Sequence, residues 1–280
     1  METVAYRSVS DLSKSILKNI CKIPNNIDLV VGIPRSGMLP ANLISLYLNK
    51  PYTDINSFLE GKIYACGDRG KFIKKTEIKN ILVVDDSIAH GYAINRAKEQ
   101  LKNEPFNFIY FVVYARTKSK DKVNTYCELL DGERIFEWNL FHHQNILERS
   151  CLDIDGVLCR DPLPEENDDG EKYHKFLLTA EPKFIPTVKI KTLISCRLEK
   201  YRNETMFWLK KHNIEYENLI LLNLPNKEAR VNWGKYGEYK ANEYKKPQYI
   251  FFIESSLKEA QTIKEKTGKS VFCIENMSLI

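Results

Sequence analysis

Two apolar runs in this chain each end in a pair of acids, and this repeated pattern constrains the fold more than any other feature. The first pair is Asp85-Asp86, after the apolar residues 81–84. The second is Asp153-Ile154-Asp155, after Cys151-Leu152. Open α/β sheets place their ligand sites at the carboxyl ends of buried parallel strands. The sequence therefore predicts an α/β fold with two separate active sites.

Apolar runs alternate with segments of helical periodicity along the chain, which is typical of βαβ folds. The predicted strands are residues 27–33, 81–84, 106–114, 152–154, 192–195, 219–222, 249–253 and 271–274. The predicted helices are residues 12–21, 38–48, 92–101, 205–213 and 257–266. Residues 53–71 are rich in glycine and are predicted to form a hairpin or a mobile loop. We expect two domains, residues 1–148 and residues 149–280, each with a parallel sheet.

Charge and cysteine usage exclude several classes of protein. The formal charge of +5 is mild and does not form a basic stripe, so nucleic-acid binding is not expected. The seven cysteines are irregularly spaced and lack a Cys-x-x-Cys, which argues against a disulfide framework and a structural zinc site. Residues 1–15 lack the apolar segment of a signal peptide, and no apolar run reaches membrane-spanning length. We therefore expect a cytoplasmic protein without membrane insertion.

The segment after the first acid pair has the features of an anion-binding turn. A predicted helix follows it, and the amino end of a helix offers free backbone N–H groups and a positive dipole end. Gly91 allows the backbone to come close to an anion. Adjacent acids such as Asp85-Asp86 suit the hydroxyl groups of a sugar, so the whole segment suits a sugar phosphate. Taken alone, the acid pair is equally consistent with a strand end that binds nothing.

Residues 81–91 resemble the phosphoribosyl pyrophosphate (PRPP) loop of type I phosphoribosyltransferases, which has an apolar run, two acids and a Thr-Gly-type loop. Residues 31–37, Val-Gly-Ile-Pro-Arg-Ser-Gly, resemble the upstream pyrophosphate loop of that family. Residues 61–70 fall where the family has a mobile loop, and Trp138 falls where a base-covering segment follows. His90 stands where the family usually has Thr.

The resemblance implies a role for each matched residue of the first site. Asp85 and Asp86 would hold the ribose hydroxyls and stabilise an oxocarbenium-like transition state. The backbone N–H groups that would hold the 5′-phosphate belong to Ser87, Ile88, Ala89, His90 and Gly91. The departing pyrophosphate, with Mg²⁺, would be held by Arg35, Ser36 and Gly37. Electrostatic stabilisation of a charged leaving group commonly contributes more to catalysis than any other single effect.

The second acid pair has the spacing that phosphoaspartate chemistry uses. Asp153 can attack phosphorus and form an aspartyl phosphate. Asp155 can protonate the leaving oxygen and then activate water, while Mg²⁺ neutralises the phosphate. Gly156 permits the tight turn that follows. Taken alone, Asp-x-Asp-Gly is equally typical of a plain or calcium-binding turn.

The segment Asp153-Ile154-Asp155-Gly156-Val157 resembles the first motif of haloacid dehalogenase (HAD)-type phosphatases, and later motifs follow in order. The resemblance implies phosphate contacts from Ser195 and Arg197. It implies a charge-stabilising lysine, for which we choose Lys240, with Lys235 and Lys245 as alternatives. The implied Mg²⁺ ligands are Asp153, Asp155 and Glu254. Many members have a second acid where this chain has Ser255, and the loop at 160–186 predicts a small or absent cap.

The two resemblances together predict a bifunctional enzyme. The first domain would transfer 5-phosphoribosyl from PRPP to an acceptor, and the second would remove the 5′-phosphate from the product. The sequence does not identify the acceptor, which is a small molecule, a glycan precursor or a nucleobase. A homodimer is possible because type I family members are commonly dimers. The alternative is a PRPP-binding or nucleotide-binding regulatory protein with a degenerate phosphatase domain.

Overall fold

A computed structural model describes residues 3–64 and 75–280. The chain divides into two compact units. The first unit is Arg7–Trp138, and the second comprises Met1–Tyr6 and Asn139–Ile280. Most of the predicted mobile loop at 61–70 lies outside the described residues. The domain boundary predicted between residues 148 and 149 stays a prediction.

Strands and helices alternate in the first unit. Its strands, with the one that leads into it, are β1 Ala5–Arg7, β2 Leu29–Gly32, β3 Tyr52–Asp54, β4 Asn80–Ile88, β5 Asn107–Ala115, β6 Thr125–Leu129 and β7 Arg134–Phe136. Its helices are α1 Val9–Lys18, α2 Met38–Leu48, α3 Ile55–Leu59 and α4 Tyr92–Leu101. Short 3-10 turns occur at Ile20–Lys22, Lys75–Glu77, Thr117–Lys122 and Glu137–Asn139.

Five strands of the first unit form one parallel sheet in the order β3-β2-β4-β5-β6. From β2 the chain passes to β3 on one side and then to β4 on the other, so the strand order reverses between β2 and β4. A ligand crevice opens at such a reversal, outside the carboxyl ends of the two strands. The amide of Ile33 donates to the carbonyl oxygen of Val84 at 2.8 Å, which joins the loop after β2 to the end of β4.

The prediction for residues 53–71 is wrong in its first part. Tyr52–Asp54 is a parallel edge strand, and Ile55–Leu59 is a short helix. Asp54 caps this helix, because its carboxylate accepts hydrogen bonds from the amides of Asn56 and Ser57. Phe58 is buried in the core of the unit, and this packing stabilises a helix that is too short to be recognised from its sequence pattern.

The second unit repeats the alternation. Its strands are β8 Ser150–Leu152, β9 Ile190–Leu198, β10 Tyr216–Leu222, β11 Phe251–Glu254, β12 Ser270–Cys273 and β13 Ser278–Leu279. Its helices are α5 Gln144–Leu147, α6 Glu171–Thr179, α7 Arg202–Lys211, α8 Lys227–Trp233, α9 Tyr236–Tyr244 and α10 Leu257–Thr267, with a 3-10 turn at Glu199–Tyr201. Helices α5, α6, α8 and α9 and strand β13 are absent from the predicted elements.

The six strands of the second unit lie in the order β10-β9-β8-β11-β12-β13, and all neighbours are parallel except β12 and β13. From β8 the chain moves to β9 and β10 on one side, and then to β11 and β12 on the other. The order therefore reverses between β8 and β11, and a second crevice opens there. The two sheets, which are parallel except for the β12–β13 pair, confirm the predicted α/β class.

Buried apolar strands and amphipathic helices form a separate core in each unit. The core of the first includes Val83, Ile94 and Val112. The core of the second includes Phe252 and Ile263. No helix within residues 3–64 and 75–280 is long and apolar enough to cross a membrane.

Gly37→Ala is expected to destabilise the first unit. A β-carbon at Gly37 would lie 2.5 Å from the carbonyl oxygen of Ile33, 2.7 Å from that of Val84 and 2.9 Å from Asp85 Oδ1. Overpacking of this kind costs about 1–3 kcal/mol. Urea unfolding followed by circular dichroism measures the loss. In the control Gly170→Ala the nearest atoms are 3.6 Å away, and equal losses in both variants would contradict the prediction.

Candidate functional sites

The end of strand β4 places the first acid pair at the crevice of the first unit. Asp85 and Asp86 are each only 6% exposed. The amide of Asp86 donates to Asp85 Oδ1 at 2.9 Å, and the indole Nε1 of Trp138 donates to Asp86 Oδ2 at 2.7 Å. Trp138 in turn stacks on Phe136 at a centroid distance of 4.8 Å. The structure therefore brings together the two predicted sugar-binding acids and the predicted base-covering aromatic residue.

Burial shifts the protonation of the acid pair. It raises the pKa of Asp85 well above its ordinary value, and the neighbouring charge of Asp86 raises it further. Two carboxylates in one desolvated corner repel each other, and hydrogen-bond donors from a sugar would relieve that repulsion. The corner is therefore electrostatically suited to hydroxyl groups and not to a phosphate.

The loop after β4 has the properties of an anion cradle. Among the described residues, the backbone N–H groups of Ala89, His90 and Gly91 have no hydrogen-bond acceptor. Two carbonyl oxygens of the same loop are held by hydrogen bonds from side chains. Ser119 Oγ donates to the Ala89 oxygen at 2.5 Å, and Lys122 Nζ donates to the His90 oxygen at 2.7 Å.

The same loop leads directly into a helix. Gly91 has a φ of +88°, a conformation that favours glycine, and helix α4 begins at the next residue. A cavity of about 190 Å³ lies here, lined by Asp85, Ser87, Ile88, Ala89, His90, Gly91, Tyr92, Ala93 and Ile94. Free amides, a helix amino end and a small cavity together suit one phosphate group. The side chain of His90 is exposed next to Tyr92.

The loop between β2 and α2 lies directly against the acid pair. Gly37 is buried there, Ser36 is half-buried and Arg35 is exposed. The carbonyl oxygens of Arg35 and Ser36 accept hydrogen bonds from the first amides of α2, and the peptide bond between Pro34 and Arg35 is cis. The predicted pyrophosphate-binding residues and the predicted sugar-binding acids therefore meet at the same strand-order reversal.

One lysine organises the crevice of the second unit. Lys240 of α9 is 2% exposed, and its Nζ donates to three carboxylates. The distances are 2.7 Å to Asp153 Oδ2, 2.8 Å to Glu254 Oε2 and 2.7 Å to Glu259 Oε2. The alternatives Lys235 and Lys245 are both exposed. The geometry thus favours Lys240 as the lysine of this site.

The charges around Lys240 are unbalanced. Burial alone would lower the pKa of Lys240, but the three carboxylates raise it well above its ordinary value. Burial raises the pKa of Asp153, and Glu254 and Glu259 raise it further, while Lys240 opposes the rise. One ammonium shared by three acids leaves the cluster with an excess of negative charge.

Asp155 is held differently from Asp153. Its two oxygens accept hydrogen bonds from Nε of Arg197 at 3.1 and 3.2 Å, and Oδ1 also accepts from Nη2 at 2.6 Å. Arg197 is fully buried, and its guanidinium also donates to Thr205. The hydroxyl of Ser195 accepts a hydrogen bond from the Arg197 amide at 3.2 Å. The structure therefore pairs Arg197 with Asp155 inside the protein.

A cavity of about 310 Å³ joins these groups. Its lining residues are Asp153, Asp155, Asp161, Asn167, Ser195, Cys196, Arg230, Val231, Tyr236, Lys240, Ser255, Ser256 and Glu259. Sequence reasoning missed Asp161, Arg230 and Glu259. Glu259 could have been predicted as a site residue, because it lies in the first turn of the helix that follows strand β11. Asp161 lay in the loop at 160–186, for which only a small or absent cap was predicted, and Arg230 lay in a helix that was not predicted.

The predicted Mg²⁺ ligands fit such an ion in part. Asp153 and Glu254 supply carboxylate oxygens, and Mg²⁺ is commonly held by one or two carboxylates and a substrate phosphate. Asp155 has both oxygens engaged by Arg197. Within residues 3–64 and 75–280, no group of three or more His, Cys, Asp or Glu side chains is arranged to hold a metal. The other two ligands are engaged as well, since Asp153 and Glu254 each accept hydrogen bonds from Lys240 and from a backbone amide, so a bound ion would have to displace these donors.

Asp85→Asn is expected to stabilise the first unit near neutral pH. The raised pKa of Asp85 means that the folded state binds more protons than the unfolded state, so wild-type stability falls as pH rises above about 4. The variant lacks this dependence. Urea unfolding at pH 4 and pH 7 should show a gain only at pH 7. The exposed control Asp121→Asn should show none, and a pH-independent effect of Asp85→Asn would refute the explanation.

Lys240→Met is expected to destabilise the second unit by about 3–5 kcal/mol at pH 7, because it leaves buried carboxylates without their cation. The loss should shrink at pH 5, because burial raises the pKa of Asp153 and this acid then takes up a proton more readily in the folded state than in the unfolded state. Calorimetric unfolding at both pH values measures it. Lys235→Met alters an exposed lysine and should change stability by less than about 0.5 kcal/mol.

Comparison with known proteins places the first unit in a family. The model of the phosphoribosyl transferase domain matches residues 4–145. The xanthine-guanine-hypoxanthine phosphoribosyltransferase of Helicobacter pylori is 19% identical, with a TM-score of 0.38, over 50% of this chain and 95% of that one. A purine phosphoribosyltransferase from Pyrococcus horikoshii is 17% identical, with a TM-score of 0.37, over 49% of this chain and 94% of that one.

No curated protein sequence matches the chain. The family match covers the β2–α2 loop, the acid pair and the amide cradle, and it extends over half of the 280 residues. The chain therefore belongs to the phosphoribosyl transferase domain family.

Proposed function

We propose that the protein is a bifunctional enzyme, which transfers 5-phosphoribosyl from PRPP to an acceptor and then removes the 5′-phosphate of the product. One observation carries the proposal. Each unit has buried acids at the strand-order reversal of its own parallel sheet, and each set of acids lies beside groups that suit a phosphorylated ligand. Ligand sites of open α/β sheets occur at such reversals.

In the first reaction the chain's residues divide the parts of PRPP among them. Asp85 and Asp86 accept hydrogen bonds from the ribose hydroxyls, and the free amides of residues 89–91 bind the 5′-phosphate. The loop with Arg35 receives the pyrophosphate. An acceptor atom forms the new bond to C1′ while the C1′–O bond breaks, and its electron pair leaves with the pyrophosphate. Bound Mg²⁺ would neutralise charge on that leaving group.

In the second reaction Asp153 attacks the phosphorus of a monoester and the ester oxygen leaves, which gives an aspartyl phosphate that water then cleaves. Lys240 holds the Asp153 carboxylate in place and balances charge as the phosphate enters. Ser195 lines the same cavity, and its hydroxyl binds the phosphate. For Asp155 to donate or accept a proton, its carboxylate has to turn away from Arg197.

The two reactions form a natural sequence. The product of phosphoribosyl transfer is itself a phosphate monoester, which is the substrate class of the second site. Hydrolysis of that monoester makes the overall conversion irreversible. The dephosphorylated product carries a ribosyl group.

The alternative function is a PRPP-binding or nucleotide-binding regulatory protein with an inactive second site. This alternative is favoured because the charged side chains of the second site are already paired with one another. Lys240 donates hydrogen bonds to three carboxylates, and Arg197 donates to Asp155. Such a site can bind an anion without turning it over. Ser255, next to Glu254, replaces a potential acidic ligand and favours the same alternative.

Phosphorus-31 NMR of the full chain with PRPP, Mg²⁺ and a panel of acceptors separates the two functions. The enzyme should release pyrophosphate and then inorganic phosphate. Asp86→Asn should slow pyrophosphate release by about 100-fold or more, and Asp153→Asn should abolish only phosphate release. Asp121→Asn is the control, because this acid is exposed.

Tight PRPP binding in calorimetry without any release of pyrophosphate or phosphate would favour the regulatory protein. Phosphate release that survives Asp153→Asn would rule out the assigned nucleophile. Pyrophosphate release that survives Asp86→Asn would do the same for the first site.

A further inference from the structure

Two arginines lie beside the acid pair of the first site, and the proposed mechanism does not use them. Arg116 follows strand β5, and its amide donates to the carbonyl oxygen of Ile88 at the end of β4. Arg134 is in strand β7, and it is close enough to Asp86 and to Arg116 to interact with both electrostatically. We call Arg116 and Arg134 the arginine pair.

Arg134 is buried and Arg116 is half-buried, and both guanidiniums have few hydrogen-bond partners. Arg134 is 5% exposed, and Nη1 donates to the carbonyl oxygen of Leu130 at 3.1 Å. Nη2 of Arg116 donates to the carbonyl oxygen of Gly132 at 3.0 Å, while its buried Nε has no hydrogen-bond partner. In the described part of the chain, no carboxylate lies within 4.0 Å of either guanidinium. Each guanidinium carries five N–H donors, and each is shown with one hydrogen bond to a carbonyl oxygen, which leaves other donors available to a ligand.

Buried charges in proteins are normally paired, because an unpaired one loses hydration without compensation. The effect is visible in Arg134, since burial lowers its pKa to about 10 and Arg116 adds to the lowering. The negative charges of Asp86 and Asp131 act in the opposite direction and raise the pKa of Arg134. An anionic ligand would supply the partner that the chain lacks here.

The position of the arginine pair indicates which part of a ligand it meets. Arg134, Phe136 and Trp138 are spaced two residues apart in one short segment. The Arg134 guanidinium lies 5.8 Å from the centre of the Phe136 ring. Phe136 stacks on Trp138, which binds Asp86. If Asp85 and Asp86 hold the ribose, the acceptor attached at C1′ lies beside these aromatic rings and the arginine pair.

We propose that the arginine pair binds a carboxylate of the acceptor, so that the acceptor is an aromatic or heteroaromatic acid and not a neutral base. The assignment rests on the proposed phosphoribosyl transfer. A guanidinium matches a carboxylate through two parallel hydrogen bonds. Asp86 and Asp131 already offset part of the positive charge, which suits a singly charged carboxylate better than a doubly charged phosphate. The rings of Phe136 and Trp138 suit a flat aromatic body.

The test uses the full chain with Mg²⁺, pyrophosphate and ribose 5-phosphate, which together fill the PRPP site without reacting. Three matched pairs of probes differ in charge but little in shape: benzoate and benzamide, nicotinate and nicotinamide, orotate and uracil. Isothermal titration measures the binding of each. We expect the carboxylates to bind about 10-fold or more tightly than their neutral partners, because hydrogen bonds to a charged group are strong.

Three variants assign the preference to residues. Arg134→Met should reduce the preference for carboxylates to less than about 3-fold while ribose 5-phosphate still binds, and Arg116→Met should reduce it partly. Arg116 is half-buried, so its variant serves if Arg134→Met does not fold. Arg96→Met changes an exposed arginine of α4 and should leave the preference intact.

Failure of the proposed acceptor class and failure of the proposed phosphoribosyl transfer give different results. Binding of ribose 5-phosphate and pyrophosphate with no preference for any carboxylate overturns the acceptor class alone. A preference that survives both arginine variants also overturns it, and if Arg134→Met then weakens ribose 5-phosphate binding, Arg134 serves to hold Asp86. A wild-type chain that binds neither PRPP nor ribose 5-phosphate overturns the proposed transfer itself, and the acceptor class with it.

Discussion

Burial of carboxylates at the carboxyl ends of parallel strands is the constraint on which both units depend. The strands of a parallel sheet are normally apolar and covered on both faces, so the polar groups collect where the strands end. Where the strand order reverses, neighbouring loops diverge and leave a crevice. Asp85 and Asp86 lie at one such place, and Asp153 and Glu254 lie at the other. Each buried acid then needs a donor or a cation close by.

The two units meet that need in opposite ways. In the first, Trp138 donates one hydrogen bond to Asp86, and the pair otherwise retains much of its repulsion. In the second, Lys240 contacts three acids at once, and Arg197 is dedicated to Asp155. A site with unsatisfied acceptors is ready for hydroxyl donors, whereas a site with internal ion pairs must exchange contacts when a ligand enters. Binding in the second unit therefore involves more rearrangement.

The sequence was sufficient where local pattern and tertiary role coincide. The acid pairs, the glycine at position 91 and the helix after it are adjacent in the chain, so their spacing alone predicted their arrangement. Arg134 and Glu259 could not be placed this way, because their partners lie far away in sequence and the elements that carry them give weak signals. Lys240 was predicted only in part, because three lysines fitted the pattern and only the burial of Lys240 in the structure distinguishes it from the other two. Long-range electrostatic contacts are the part that periodicity does not encode.

The charge balance of each site also indicates what completes it. In the described part of the chain, the arginine pair of the first unit makes no ion pair within 4.0 Å, although Asp86 and Asp131 are near enough to act on Arg134 electrostatically. The cluster of the second unit has three carboxylates for one ammonium, and Asp161 lines the same cavity. Under the proposals made above, an acceptor carboxylate pairs with the arginines of the first unit, and a cation offsets the carboxylate excess of the second.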